Sequence, residues 1–229
     1  MDINKFHIKL PKETVRTKCG INDKKNNILI YLYFHMTSEY MVYTSVDCIC
    51  SELNLSTKSH GQRRSQNIVK EILNELKEDG IILFVPFNDD TTIDNLKNNQ
   101  LFKLQINVQS PILNPKTNYV KIDITEYQEI MRSKDTICKT MNVYCQIKSY
   151  ICMDDSCLKI CYPSIKTLCN LCGCSDNTLF KALKILYNQK LIYIYRFNDQ
   201  EKEALNSKVE YVFSLEKYTK DQIYREFAG

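Results

Sequence analysis

The chain has 229 residues, 44% hydrophobic and 25% charged, with a formal net charge of +4. Those proportions exclude whole-chain disorder, and five Gly with five Pro exclude collagen-like or low-complexity architecture. No apolar run reaches the ~18–20 residues that cross a bilayer, and the opening MDINKFHIK lacks the apolar stretch of a signal peptide. The expectation is a soluble, cytoplasmic chain with no membrane partner. The charge is even: 15 basic and 13 acidic residues up to Asn118, 16 and 14 beyond it. So weak an excess permits nucleic-acid binding without demanding it.

In chain order, apolar residues three and four apart predict a helix from Asn26 to Thr37. Met41–Tyr43 reads as extended. Thr44-Ser45 opens a short helix, with Ser as its cap. Ser56 leads through a turn to a second helix near 65–79. Two strands follow, 81–87 and 101–108, and the polar stretch 88–100 between them suits a hairpin wing. Residues 111–118 read as a linker, because Pro111 and Pro115 oppose a helix. The expected domains are therefore 1–110 and 119–229.

Beyond the linker, 119–127 reads as a strand leading into a short helix, and Thr136 to about Met153 as a longer one. Extended 159–161 precedes Pro163-Ser164, which opens a short helix. Ser175 caps a helix over 176–189. Strands 191–197 and 209–215 flank a polar loop at 198–208, and 219–227 ends the chain as a further short helix.

The two halves align. Setting Tyr43 on Tyr162 matches Ser45 with Ser164, Cys50 with Cys169 and Ser56 with Ser175, and keeps apolar residues at 46/165, 49/168 and 55/174. Setting Val69 on Leu179 then matches Ile72, Leu73 and Leu76 with Ala182, Leu183 and Leu186. The first copy carries nine extra residues between these blocks, read as an expanded turn. It also has Asn54 where the second has Gly173.

Helix, strand, helix, turn, helix, hairpin is the winged-helix order. The stretch from Tyr162 to Ile192 resembles the helix-turn-helix core of that family, with Gly173 at the turn and Leu168, Leu171, Cys174, Leu179, Leu183 and Leu186 on core positions. The expected fold is α+β: two tandem winged helix-turn-helix domains, each a three-helix core with a β-hairpin wing.

In that architecture the third helix enters the major groove. Asn177, Thr178, Lys181 and Lys184 then face outward in the second copy, and Asn67, Lys70, Glu71 and Asn74 in the first. Asn can pair with adenine, and Lys suits guanine or phosphate. Arg63 and Arg64 precede the first copy's helix, placed for phosphates or a minor groove. The competing reading of all these positions is a solvated polar face. The wing sequences Asn88-Asp89-Asp90 and Asp199 to Glu203 are acidic or mixed. Phosphate would repel them. Either the wings stay off the backbone or one copy serves another purpose, such as dimerisation.

Eleven Cys is many, and an odd number cannot pair completely. Cys157, Cys161, Cys169 and Cys172 invite a zinc reading. Reduced thiols acting as small core hydrophobes are preferred to it. No cofactor is called for. Three His at 7, 35 and 60, no phosphate-cradling Gly-rich loop and no Gly-flanked Ser argue against an enzyme.

Two winged helices in a chain of this size resemble plasmid and phage replication initiators. The opening Phe6 to Lys12, followed by a helix with Ile28, Leu29, Tyr31 and Leu32, resembles the start of such proteins from Gram-positive plasmids. That resemblance implies sequence-specific binding of double-stranded DNA, a homodimeric form and contact with replication machinery. The alternatives are a transcriptional regulator, acting as a repressor with the transcription machinery, and a protein-interaction module that binds no DNA.

Overall fold

The computed structural model describes residues 7–16, 21–55, 59–85, 87, 91–134, 136–152, 154 and 157–228, with the side chains of 21–23, 59–63 and 228 outside the description. Phe6, Cys19, Ser56, the tip at 88–90 and the side chain of Arg63 thus lie outside it.

The fold is mixed α+β, and its two halves repeat one order of elements. The first runs β1 His7–Pro11, α1 Lys12–Arg16, α2 Ile21–Phe34, β2 Met41–Thr44, α3 Val46–Glu52, α4 Ser59–Glu78, β3 Ile82–Val85 and β4 Phe102–Ile106. The second runs β5 Tyr119–Asp123, α5 Ile124–Arg132, α6 Ile137–Tyr150, β6 Ile160–Cys161, α7 Ile165–Cys172, α8 Asp176–Asn188, β7 Tyr193–Arg196, α9 Asp199–Ala204 and β8 Tyr211–Ser214. Helix α10, Lys220–Ala228, closes the chain. Each half holds one antiparallel three-stranded sheet, ordered β2-β4-β3 and β6-β8-β7.

The repeat extends to the turns. Ser45 Oγ accepts from the Cys48 N–H at the start of α3, as Ser164 Oγ accepts from the Thr167 N–H at the start of α7. Both helices end on a left-handed residue, Asn54 at φ 50 and Gly173 at φ 53. Asn is the residue other than Gly that most readily takes this conformation, so its presence leaves the turn intact. The next N–H then reaches back five residues in each copy, Leu55 to Cys50 O and Cys174 to Cys169 O. The helices that follow end alike, on left-handed Gly80 and Lys190, with Ile81 N–H on Leu76 O and Leu191 N–H on Leu186 O.

Two expectations are corrected. Most of the nine-residue excess is helix rather than turn. Seven of the nine residues lengthen α4 at its N-terminus, to 20 residues against 13 in α8. Gln62, Arg63 and Arg64 are good helix formers, Pro is absent, and buried Ser65 and Gln66 start the apolar stripe of Val69, Ile72, Leu73 and Leu76. The loop at 198–208 is not a free wing either, because α9 occupies it. Asn198 and Glu201 form a capping box there, each side chain bonding the other's backbone N–H.

The halves are stitched together. β1 pairs antiparallel with β5, Lys9 opposite Lys121, which relates the halves by a local pseudo-twofold. Alternation along β1 buries Ile8 and Leu10 and leaves His7, Lys9 and Pro11 partly exposed. α1 lies on α6 of the other half: Gln146 Nε2 donates to Val15 O and Arg16 Nε to Ser149 Oγ. In return, Tyr127 of α5 stacks on Phe34 of α2, ring centroids 4.8 Å apart. Asn27 Nδ2 donates to Asn142 Oδ1 at 2.6 Å where α2 meets α6. One hydrophobic cluster runs through both halves, from Ile8 to Phe213.

Candidate nucleic-acid interface

Helix α8 shows how the second half builds a presenting surface. Gly173 ends α7 and turns the chain, and Ser175 Oγ accepts from the Thr178 N–H to start α8. Leu179, Ala182, Leu183 and Leu186 are buried against α6 and α7. Burying each Leu contributes roughly 1.5–3 kcal/mol, so this stripe fixes the rotation of the helix. The opposite face is determined by remainder. Asn177, Lys181 and Lys184 are exposed on it, as expected. Thr178 is half-buried, and its hydroxyl sits 3.2 Å from Ser175 Oγ, so it belongs to the cap.

Phe180 and Tyr187 are exposed on the same helix, and sequence reasoning missed both. The available signal was spacing. Phe180 lies three residues after Asn177, Tyr187 three after Lys184, and the same periodicity places the inner stripe. The Phe180 ring meets Tyr211 of β8 at 6.3 Å, and the Arg196 guanidinium of β7 lies 5.5 Å over the same Tyr211 ring. Arg196 is exposed and paired with Glu210 at 2.9 Å. The helix face and the hairpin thus meet through aromatic contacts, which bring an Arg beside the Lys-bearing surface.

In the first half, Arg64 and Asn67 are exposed on α4, and Glu71 lies one turn beyond Asn67. Arg63 lies in α4, its side chain outside the description. Lys70 and Asn74 are engaged elsewhere. Lys70 Nζ donates to Leu96 O at 2.6 Å and Asp94 O at 3.3 Å, and Asn74 Nδ2 to Asp94 Oδ1 at 2.7 Å. The β3–β4 connection, anchored by buried Ile93 and Leu96, folds back over this face of α4. Gln66 Nε2 donates to Asp47 Oδ1 nearby. The outward groups expected at 70 and 74 therefore hold the protein's own connection in place. Toward its end α4 is acidic, and Glu75 and Asp79 pair with Lys25.

The four cysteines weighed for zinc are not gathered. Among the described residues no three His, Cys, Asp or Glu side chains could together hold a metal ion. Cys157 is exposed. Cys161, Cys169 and Cys172 are core residues. Burial pushes the Cys161 thiol up to about 12, and burial with the Asp176 carboxylate beside it does the same to Cys169. Thiols so raised stay protonated at neutral pH and pack as small core hydrophobes.

Residues 139–192, from α6 through α8, match the family described as a helix-turn-helix domain. Most of the chain lies outside the match. No curated protein matches it. The chain thus carries a helix-turn-helix domain, a module that points to DNA as its partner. Among the described residues no helix is long and apolar enough to cross a membrane.

Proposed function

We propose that the chain binds double-stranded DNA sequence-specifically through two tandem winged helices, one in 1–110 and one in 119–229, as a plasmid- or phage-type replication initiator rather than an enzyme. The observation that carries the reading is the exposed face of α8: Asn177, Phe180, Lys181 and Lys184 on one side of a capped helix inside the matched helix-turn-helix segment. Asn can bond adenine N6 and N7 together, Lys reaches guanine or phosphate, and an apolar ring can pack on a thymine methyl. In this reading α8 reads bases. α4 contributes its N-terminal turns, where Arg63 and Arg64 suit phosphates. Its acidic second half stays away from the backbone.

The initiator role rests on the repeat, its size and the resemblance of the opening segment. A transcriptional repressor would use the same residues. The deciding experiment selects a duplex site from random DNA with the full chain and follows binding against salt. Selective binding, lost in a variant with Asn177→Ala and Lys181→Ala, is expected. Direct repeats of the selected site beside the gene, able to sustain replication when supplied with the protein, would favour the initiator. A single operator overlapping a promoter would favour the repressor. Absence of duplex binding near 50 mM salt, where phosphate contacts are strong, would overturn both.

A further inference from the structure

The internal repeat allows the outer faces of the two sheets to be compared position by position. Extending the alignment of Leu76 with Leu186 sets Phe87 on Phe197. Leu104 pairs with Val42 and Phe213 pairs with Cys161, so Lys103 of β4 falls on Val212 of β8, and Met41 on Ile160. In the second half this face is covered by α10. Phe197 is 1% exposed, with Tyr224 and Phe227 at 5.5 and 5.7 Å, and Ile160, Val212 and Ile223 complete a small separate core. Among the described residues, the same face in the first half is open except at Met41, which is 7% exposed. Phe87 is 59% exposed, beside Leu83, Leu101 and Tyr43 at 56, 64 and 57%. The strand register sets Val85 and Tyr43 opposite Lys103 from either side. Residues 94–98 of the β3–β4 connection fold toward α3 and α4, away from this face. A contiguous apolar face of this kind marks an interaction site more often than scattered exposed side chains do.

We propose that the outer face of the β2-β4-β3 sheet docks an amphipathic helix of a partner protein, in the place that α10 takes on the second sheet. The charge at its centre narrows the partner. Val212 under α10 is replaced by Lys103, whose ammonium lies 5.9 Å over the Tyr43 ring. A helix seated there offers large apolar side chains three and four apart, as Ile223 and Phe227 do, and a carboxylate facing Lys103.

The test pans the full-length protein against a displayed library of helical peptides with one randomised face. Enriched peptides are expected to carry that apolar spacing with Asp or Glu. They should perturb backbone amide resonances around Leu83, Phe87 and Leu101, and bind a Leu83→Ser, Phe87→Ser variant at least about ten-fold more weakly. Both side chains are solvent-exposed, so the variant should retain its circular dichroism spectrum and Tm. Lys103→Glu should weaken acidic peptides and rescue partners in which Lys replaces the carboxylate. Three results overturn the proposal: no enrichment, equal binding to the variant, or a wild-type dimer that the variant converts to monomer, which would give the face to a second copy.

Discussion

At the scale of single residues, the α8 surface separates two kinds of contact. Asn177 is exposed in the first turn of α8, so Asn177→Ala should cost roughly 1–3 kcal/mol of specific affinity and relax discrimination at one A·T pair. Lys184→Ala should instead weaken all duplexes alike and lower the salt slope by about one. Competition between matched and mismatched duplexes over a salt series checks both. The cysteines give a second prediction. Cys48 and Cys152 are exposed, whereas Cys50 and Cys161 are buried, their thiols raised to about 11 and about 12 by desolvation. An alkylating thiol reagent near pH 8 should label the exposed pair in the native protein and reach the buried pair only on unfolding, with mass spectrometry as the readout.

At the scale of elements, the two presenting helices differ in what surrounds them. α8 has an open outer face, while α4 has lost part of its own to the β3–β4 connection. On the second sheet, α9 holds α10. Glu201 accepts from Lys220 at 2.6 Å and from the Tyr224 hydroxyl, and these two partners draw its carboxyl down to about 2 from 4.5. A carboxyl with a lowered folded pKa stabilises above its unfolded value, and that stabilisation fades as pH falls toward the folded one. The packing of α10 should hold from neutral pH to about 5 and loosen between about 4.5 and 2. Near-ultraviolet circular dichroism, reporting Tyr224, should show this transition, and Glu201→Gln should remove it. The turn into α8 is testable too. Ser175→Ala deletes the cap and Gly173→Ala forces a Cβ into left-handed backbone, each costing about 1 kcal/mol in urea unfolding.

At the scale of the whole molecule, β1 and α1 decide how the halves behave together. They open the first half in sequence but pack on β5 and α6 of the second. Leu10→Ala removes a side chain that is 1% exposed and should cost about 2–5 kcal/mol. Because one cluster spans both halves, that loss should move a single urea transition rather than one of two. Tyrosine fluorescence and far-ultraviolet circular dichroism should give coincident curves, and two resolved transitions would show independent domains. Residues 119–229 expressed alone should melt below the full chain, since β5 then loses β1, its strand partner among the described residues.

Local chemistry made much of this legible in the sequence. Ser45, Ser164 and Ser175 mark helix starts because a hydroxyl can satisfy a free N–H. Leu179, Leu183 and Leu186 disclose an inner face through their 3.6-residue spacing, which leaves Asn177, Lys181 and Lys184 outside. The repeat was visible in Tyr43 and Tyr162 for the same reason, because equivalent environments select similar side chains. What remained hidden depends on partners far away in the chain. That Lys70 and Asn74 face their own connection, that α10 covers Phe197 while Phe87 stays bare, and that β1 pairs with β5 are outcomes of packing between surfaces. No residue's own preference encodes which surface it will meet. Periodicity sets which way a side chain faces, and only the tertiary structure decides what lies opposite it.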